Sequence, residues 1–206
     1  MASENWRQER NSGIGVIAAS ILVSLILWFA LTRLLPPLEG MGDLGARMLV
    51  ALKCLAIATL FCLVTGVESV AHERLQSAAF DPLAGHETKR LRVNLRYLQN
   101  TLEQIVVFAV GLFGLAAYMT NGAAMRAVLA VTIIWILNRF AFWIRYHRSA
   151  AMRGLGAPSV AVSLIVLLYV TVRIGHDLAG IAGSVVLVGA YLAIEAILFW
   201  STRRPA

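Results

Sequence analysis

The sequence predicts an all-α integral membrane protein, a bundle of hydrophobic helices. Three observations carry this. Of 206 residues, 59% are hydrophobic, and mean hydropathy is +0.75, whereas soluble domains sit near about 45–50% apolar. Three runs carry no charge, residues 13–32, 105–125 and 154–172. Each is close to the ~20 residues that span the hydrocarbon core as a helix. The charges gather between the runs instead of recurring every turn or two, as they would on a soluble helix.

The first run follows Trp6, Arg7 and Arg10, as in a targeting sequence. It is long for a signal core and ends at Arg33 without a small-x-small cleavage site. A retained helix over residues 13–35 is expected. Three further spans contain embedded charge: residues 46–71 with Lys53 and Glu68, 127–144 with Arg139, and 178–200 with Glu195. Six spans result, in a single membrane domain over residues 1–206. Helices satisfy their own backbone in lipid. A barrel would need short alternating strands, and no period of two is present.

The net charge of +7 is informative through its placement. With six spans, both termini and the loops near residues 74–96 and 145–153 share one side. That side holds Arg7, Arg10, Arg74, Lys89, Arg90, Arg92, Arg96, Arg145, Arg148, Arg153, Arg203 and Arg204. The other holds Arg33, Arg47, Arg126 and Arg173. The bias puts both termini in the cytoplasm. It also makes nucleic-acid binding unnecessary as an explanation of the basic character. Cys54 and Cys62 sit eight residues apart on one helix, about 12 Å at 1.5 Å per residue. That is too far for a disulfide, so both read as packing residues. His72, His86, His147 and His176 are scattered near segment ends. No phosphate loop, metal-binding His-Glu-x-x-His run or nucleophile elbow occurs, and no metal is expected.

Two stretches break the hydrophobic pattern at the basic side. In residues 80–104, Pro82 and Gly85 mark a loop, and a helical pattern starts near Thr88. Arg92, Arg96, Asn100 and Glu103 then fall at spacings of four, four and three, which form one helical stripe descending into the membrane. Polar groups at that depth face a bundle interior or a wet pocket. In residues 138–154, Arg139, Phe142 and Tyr146 share one helix face. Arg145 and Arg148 at the helix end suit the dipole and can reach headgroups. That explanation serves Arg139 poorly, because it lies roughly two turns inside.

Together these stretches resemble the MAPEG family, membrane-associated proteins in eicosanoid and glutathione metabolism. The Arg-x-x-x-Asn-x-x-Glu pattern is here Arg96, Asn100 and Glu103. The FDPLAG segment before it is similar to bacterial members. Arg139, Phe142, Tyr146 and Arg153 resemble the family's Arg-x-x-Tyr-x-x-x-Tyr helix with its downstream arginine. Phe142 stands in place of the first tyrosine, Gln104 where several relatives have tyrosine, and Arg145 where a glycine is common. The resemblance covers residues 46–176, a four-helix core. Residues 13–35 and 178–200 would be additional flanking helices.

The resemblance implies a homotrimer with glutathione between subunits near the cytoplasmic face. Arg96 and Asn100 would hold its polar groups, and Glu103 its ammonium. Tyr146 and Arg153 would be the catalytic pair, Arg153 meeting the thiol. Arg92, Arg139 and, more loosely, Arg74 would complete the binding set. Two carboxylates suit arginine forks. A neighbouring cation lowers a thiol pKa from about 8.5, and a two-unit shift corresponds to roughly 2.7 kcal/mol. The implied function is a glutathione-dependent enzyme that conjugates or reduces lipophilic electrophiles drawn from the membrane lipids. Two other readings compete. One is a non-catalytic scaffold or lipid-binding protein on the same fold. The other is a small transporter, in which Lys53, Glu68, Arg139 and Glu195 would line a path.

Overall fold

The computed structural model describes the backbone of residues 2–148 and 151–202, and the side chains of 11–148 and 154–202. Every regular element among the described residues is helical. Helix α1 spans Ala2–Leu34, α2 Leu44–Ala58, α3 Thr65–Leu75, α4 Lys89–Tyr118, α5 Arg126–Tyr146 and α6 Ala157–Ser201. A π-helical stretch, Thr59–Val64, joins α2 to α3 in one continuous rod. Among the described residues, five helical segments are long and apolar enough to cross a membrane, so the protein is a multi-pass membrane protein.

Six spans are expected, and the last two of them are the two arms of α6, which are continuous in sequence but joined through a break. Ala179 (φ −150°, ψ 29°) and Gly180 (φ 60°, ψ −148°) leave helical geometry. Across the break the chain doubles back. Ser184 Oγ donates to the Val172 carbonyl at 2.8 Å, although twelve residues of straight helix would separate them by about 18 Å. A Cβ on Gly175 would lie 2.7 Å from Ser184 Cα, and one on Gly183 would overlap the Gly175 carbonyl. Small residues let the two arms meet, and the positive φ at Gly180 favours glycine. Beyond the turn, residues 185–200 are almost all exposed and apolar.

Local chemistry sets the other boundaries. Thr88 caps α4, its Oγ1 accepting from Leu91 N at 3.0 Å, which agrees with the helix start expected there. The far end comes earlier than the charge-free run to residue 125 suggests. At Met119 the backbone becomes extended (φ −86°, ψ 90°), and Asn121 Oδ1 accepts from Ala124 N at 2.9 Å. The Leu38 amide donates to the Gly122 carbonyl at 3.1 Å, tying this turn to the loop after α1. Arg47, 8% exposed, donates to the carbonyls of Ala117 and Met119 at 3.2 and 3.0 Å. A guanidinium thus satisfies two orphan carbonyls at the end of α4 and meets the negative end of its dipole.

Helix α4 is the centre of the bundle and touches α2, α3, α5 and α6. Phe108 stacks on Trp135 of α5 with centroids 4.8 Å apart. Gly111 and Gly114 face Val166 and Val170 of α6; side chains there would hold the helices apart. Cys54 and Cys62 are free and buried in the same core, as packing residues would be. The embedded charges separate into two kinds. Arg139 is fully buried, while Lys53, Glu68 and Glu195 face outward. They share no path through the interior of the single bundle.

Candidate functional site

The polar stripe of α4 and the aromatic face of α5 meet at the end of the bundle that carries Arg96, Tyr146 and the start of α6. They enclose a cavity of about 410 Å³. Arg96, Asn100 and Glu103 form one wall, and Arg139, Phe142 and Tyr146 the next. Gly154, Gly156, Ala157 and Val160 close the third side. Gly156 is required there: a Cβ would come within 2.6 Å of Phe142 Cβ.

Arg139 is the deepest charged group, with none of its surface exposed. Its Nη1 donates to Asn100 Oδ1 at 2.8 Å, and its Nη2 to Thr101 Oγ1 at 2.6 Å. A longer contact of 3.4 Å reaches the Tyr97 carbonyl. The guanidinium lies 5.1 Å from the Tyr97 ring centroid and 4.8 Å from that of Phe142, a cation–π arrangement. Its Nε is buried without a partner. Among the described residues no carboxylate lies within 4 Å of it; the ion pairs there are Glu68 with His72 and Glu73 with Arg90. A buried charge without a counter-charge costs several kcal/mol, order of magnitude, so the cavity wall favours an anion.

Asn100 is held from behind. Its Oδ1 also accepts from Gln104 Nε2 at 2.7 Å. Ser159 Oγ contacts Gln104 Oε1 at 2.8 Å and the Gly156 carbonyl at 2.7 Å. This chain ties α4, α5 and α6 together, so the cavity walls are set by a largely satisfied polar network. The rim is looser. Arg96 Nη1 donates to Gln99 Oε1 at 3.2 Å, and Gln99 Nε2 to Glu103 Oε1 at 3.1 Å. All three side chains are exposed. The cavity therefore has an open rim with charges of both signs above a buried cation.

Five of the eight expected residues, Arg96, Asn100, Glu103, Arg139 and Tyr146, line this one cavity. Tyr146 stacks on Phe142 with centroids 5.4 Å apart. Arg92 is exposed and Arg74 half-buried on α3, and neither is part of the lining. Arg153 lies on a short 3-10 helix, Ala151–Gly156, but its side chain falls outside the described residues. Gln99, Gln104 and Ser159 are contributors that sequence reading misses. The glutamines had a signal, since Gln104 follows Asn100 by four residues on the same helix. Ser159 had none, sitting in a charge-free run beside Pro158.

A second polar cluster lies behind the first. Asn94 Oδ1 accepts from Trp143 Nε1 at 3.0 Å and contacts His147 Nε2 at 3.0 Å, and its Nδ2 donates to the Ser69 carbonyl at 3.2 Å. With Oδ1 accepting, His147 carries its proton on Nε2 when neutral. This cluster joins α3, α4 and the end of α5. Among the described residues no group of three or more His, Cys, Asp or Glu could hold a metal ion. No protein-family model, curated protein or solved structure matches the chain.

Proposed function

We propose that the protein is a glutathione-dependent membrane enzyme of MAPEG type that conjugates or reduces lipophilic electrophiles. The observation that carries this reading is Arg139, a buried guanidinium with no acid beside it among the described residues, in the same cavity as Asn100, Tyr146, Arg96 and Glu103. The volume of about 410 Å³ falls within the range of ligand pockets, roughly 300–1,000 Å³. The charges match a ligand with two carboxylates and one ammonium: Arg139 and Arg96 for the acids, Glu103 for the amine.

In this reading the thiol meets Tyr146 and Arg153. A positive neighbour favours loss of the thiol proton to water. The thiolate then attacks the electrophilic carbon, and the carbon–sulfur bond forms as the leaving group departs. The apolar flank of Phe142, Ala157 and Val160 would receive the lipophilic partner from the bilayer. The same reading takes the chain as a homotrimer in a bacterial inner membrane, with both termini cytoplasmic. Arg153→Ala is expected to lose conjugation of a generic electrophile while thermal unfolding is unchanged. Conjugation at the wild-type rate would overturn the role of Arg153.

A second reading is favoured by the Arg139 bonds to Asn100 and Thr101. They join α5 to α4, as a scaffold would need, and a non-catalytic scaffold predicts no thiolate signal with glutathione at all.

A further inference from the structure

Helix α1 does not close completely on α5 and α6. Between them lie two apolar cavities of about 320 and 440 Å³. Both are lined by Trp28, Ile165 and Val166, so they form one slot. On α6 the slot runs from Pro158 to Tyr169, about 16 Å of helix at 1.5 Å per residue. Alanines at 123, 124, 127 and 161 keep it open. Its shape is that of a channel along the bundle axis, open to the surrounding hydrocarbon.

A cation stands beside the end near Met119 and Thr32. Arg126, the first residue of α5, donates from Nη1 to the Thr32 carbonyl at 3.0 Å. Thr32 and Ala127 both line the slot. The Arg126 guanidinium is thus held beside this end of the slot, next to Thr32. Its Nε is buried without a partner, and among the described residues no carboxylate pairs with it or with nearby Arg33. The first turn of α5 contains no acid, so the positive end of that helix adds to the arginine charge. Trp28 lies one turn deeper, at the level where amphipathic rings mark a membrane interface. A positive mouth over an apolar slot has the polarity of a phospholipid with an anionic headgroup.

We propose that this slot is a structural lipid site, holding one acyl chain of an anionic phospholipid with its phosphate on Arg126, in the leaflet at that end of the bundle. The site is separate from the polar cavity: it uses α1 and the opposite face of α6. Its occupancy would complete the packing of α1 against the bundle and supply the anion that Arg126 lacks.

The test uses the full chain, purified and delipidated in detergent. Thermal unfolding is followed after adding phosphatidylglycerol, phosphatidylcholine of the same acyl chains, or inorganic phosphate. Phosphatidylglycerol is expected to raise Tm by several degrees more than phosphatidylcholine, and phosphate to leave it unchanged. Arg126→Gln should make the two lipids equal, and Ala127→Leu, which fills the slot under the mouth, should reduce the response to both. Equal stabilisation of the wild type by the two lipids would overturn the proposal. So would a response to phosphate alone, or a phosphatidylglycerol preference that survives Arg126→Gln. The wild-type comparison decides even if a variant fails to fold.

Discussion

Replacing Arg139 with methionine separates a binding role from a structural one. The substitution keeps a long, unbranched side chain between Tyr97 and Phe142, where a thioether also packs well. It removes two short bonds, to Asn100 and Thr101. Hydrogen bonds to charged groups are worth about 1.5–3 kcal/mol each, so the loss is roughly 3–6 kcal/mol. Against this, the cost of burying a guanidinium with no counter-charge on folding is removed, a gain of several kcal/mol, order of magnitude. Neither partner is orphaned. Asn100 Oδ1 still accepts from Gln104, and Thr101 Oγ1 still donates to the Tyr97 carbonyl at 2.6 Å. The terms nearly cancel, and the net change should stay within about 2 kcal/mol, a Tm shift below ~8 °C at roughly 2–4 °C per kcal/mol. Glutathione affinity, in contrast, should fall by about 2–4 kcal/mol, order of 30- to 1,000-fold, as for truncating one partner of a buried charge pair. Thermal unfolding in detergent, with and without glutathione, reads both quantities. A variant destabilised far beyond that range, or one whose glutathione response equals wild type, would refute the reasoning.

Gly156→Val places a side chain where a Cβ already lies 2.6 Å from Phe142. It should cost about 1–3 kcal/mol by overpacking and abolish the glutathione-dependent Tm rise; an unchanged rise would show that this side of the cavity is not used. Gly180→Ala forces a side chain into a conformation (φ 60°, ψ −148°) suited to glycine, and should lower stability by about 1–3 kcal/mol without affecting glutathione binding. A neutral result by thermal unfolding would mean that the hairpin turn is absent. His147 gives a pH dependence. Burial, aided by the Arg90 charge and opposed by Glu73, holds its pKa below the ordinary value. The unfolded chain therefore binds the proton more readily, so this stabilisation is full above about pH 6.5 and is lost as pH falls through the lower folded value. Tm should drop on acidification in the wild type and drop less in His147→Gln, and equal slopes would contradict the assignment.

Much of this molecule is legible in its sequence because lipid removes alternatives. Charge-free runs of helix-spanning length at 13–32 and 154–172 admit no other structure, and both are helical. The convergence of Arg96, Asn100 and Glu103 follows from spacing on a single helix, and that of Arg139, Phe142 and Tyr146 from spacing on another. What spacing cannot supply is which face of α4 meets which face of α5. The answer depends on Thr101, Gln104 and Ser159, which carry no charge; Gln104 continues the spacing from Asn100, and the other two stand out in no pattern. The doubling back at Ala179–Gly180 is hidden for a related reason. Gly175, Gly180 and Gly183 are individually ordinary in a membrane helix, and only their joint placement lets the two arms touch. Arg47 shows the opposite case: it counts as a topology-setting charge in sequence, yet its position is that of a cap on the carbonyls ending α4.

The most direct test of the central claim is a glutathione titration of the purified protein, following thiolate absorbance. A saturable thiolate signal is predicted in the millimolar range or below, lost in Arg139→Met and intact in Arg126→Gln. No saturable signal from a folded wild-type protein at millimolar glutathione would contradict the account.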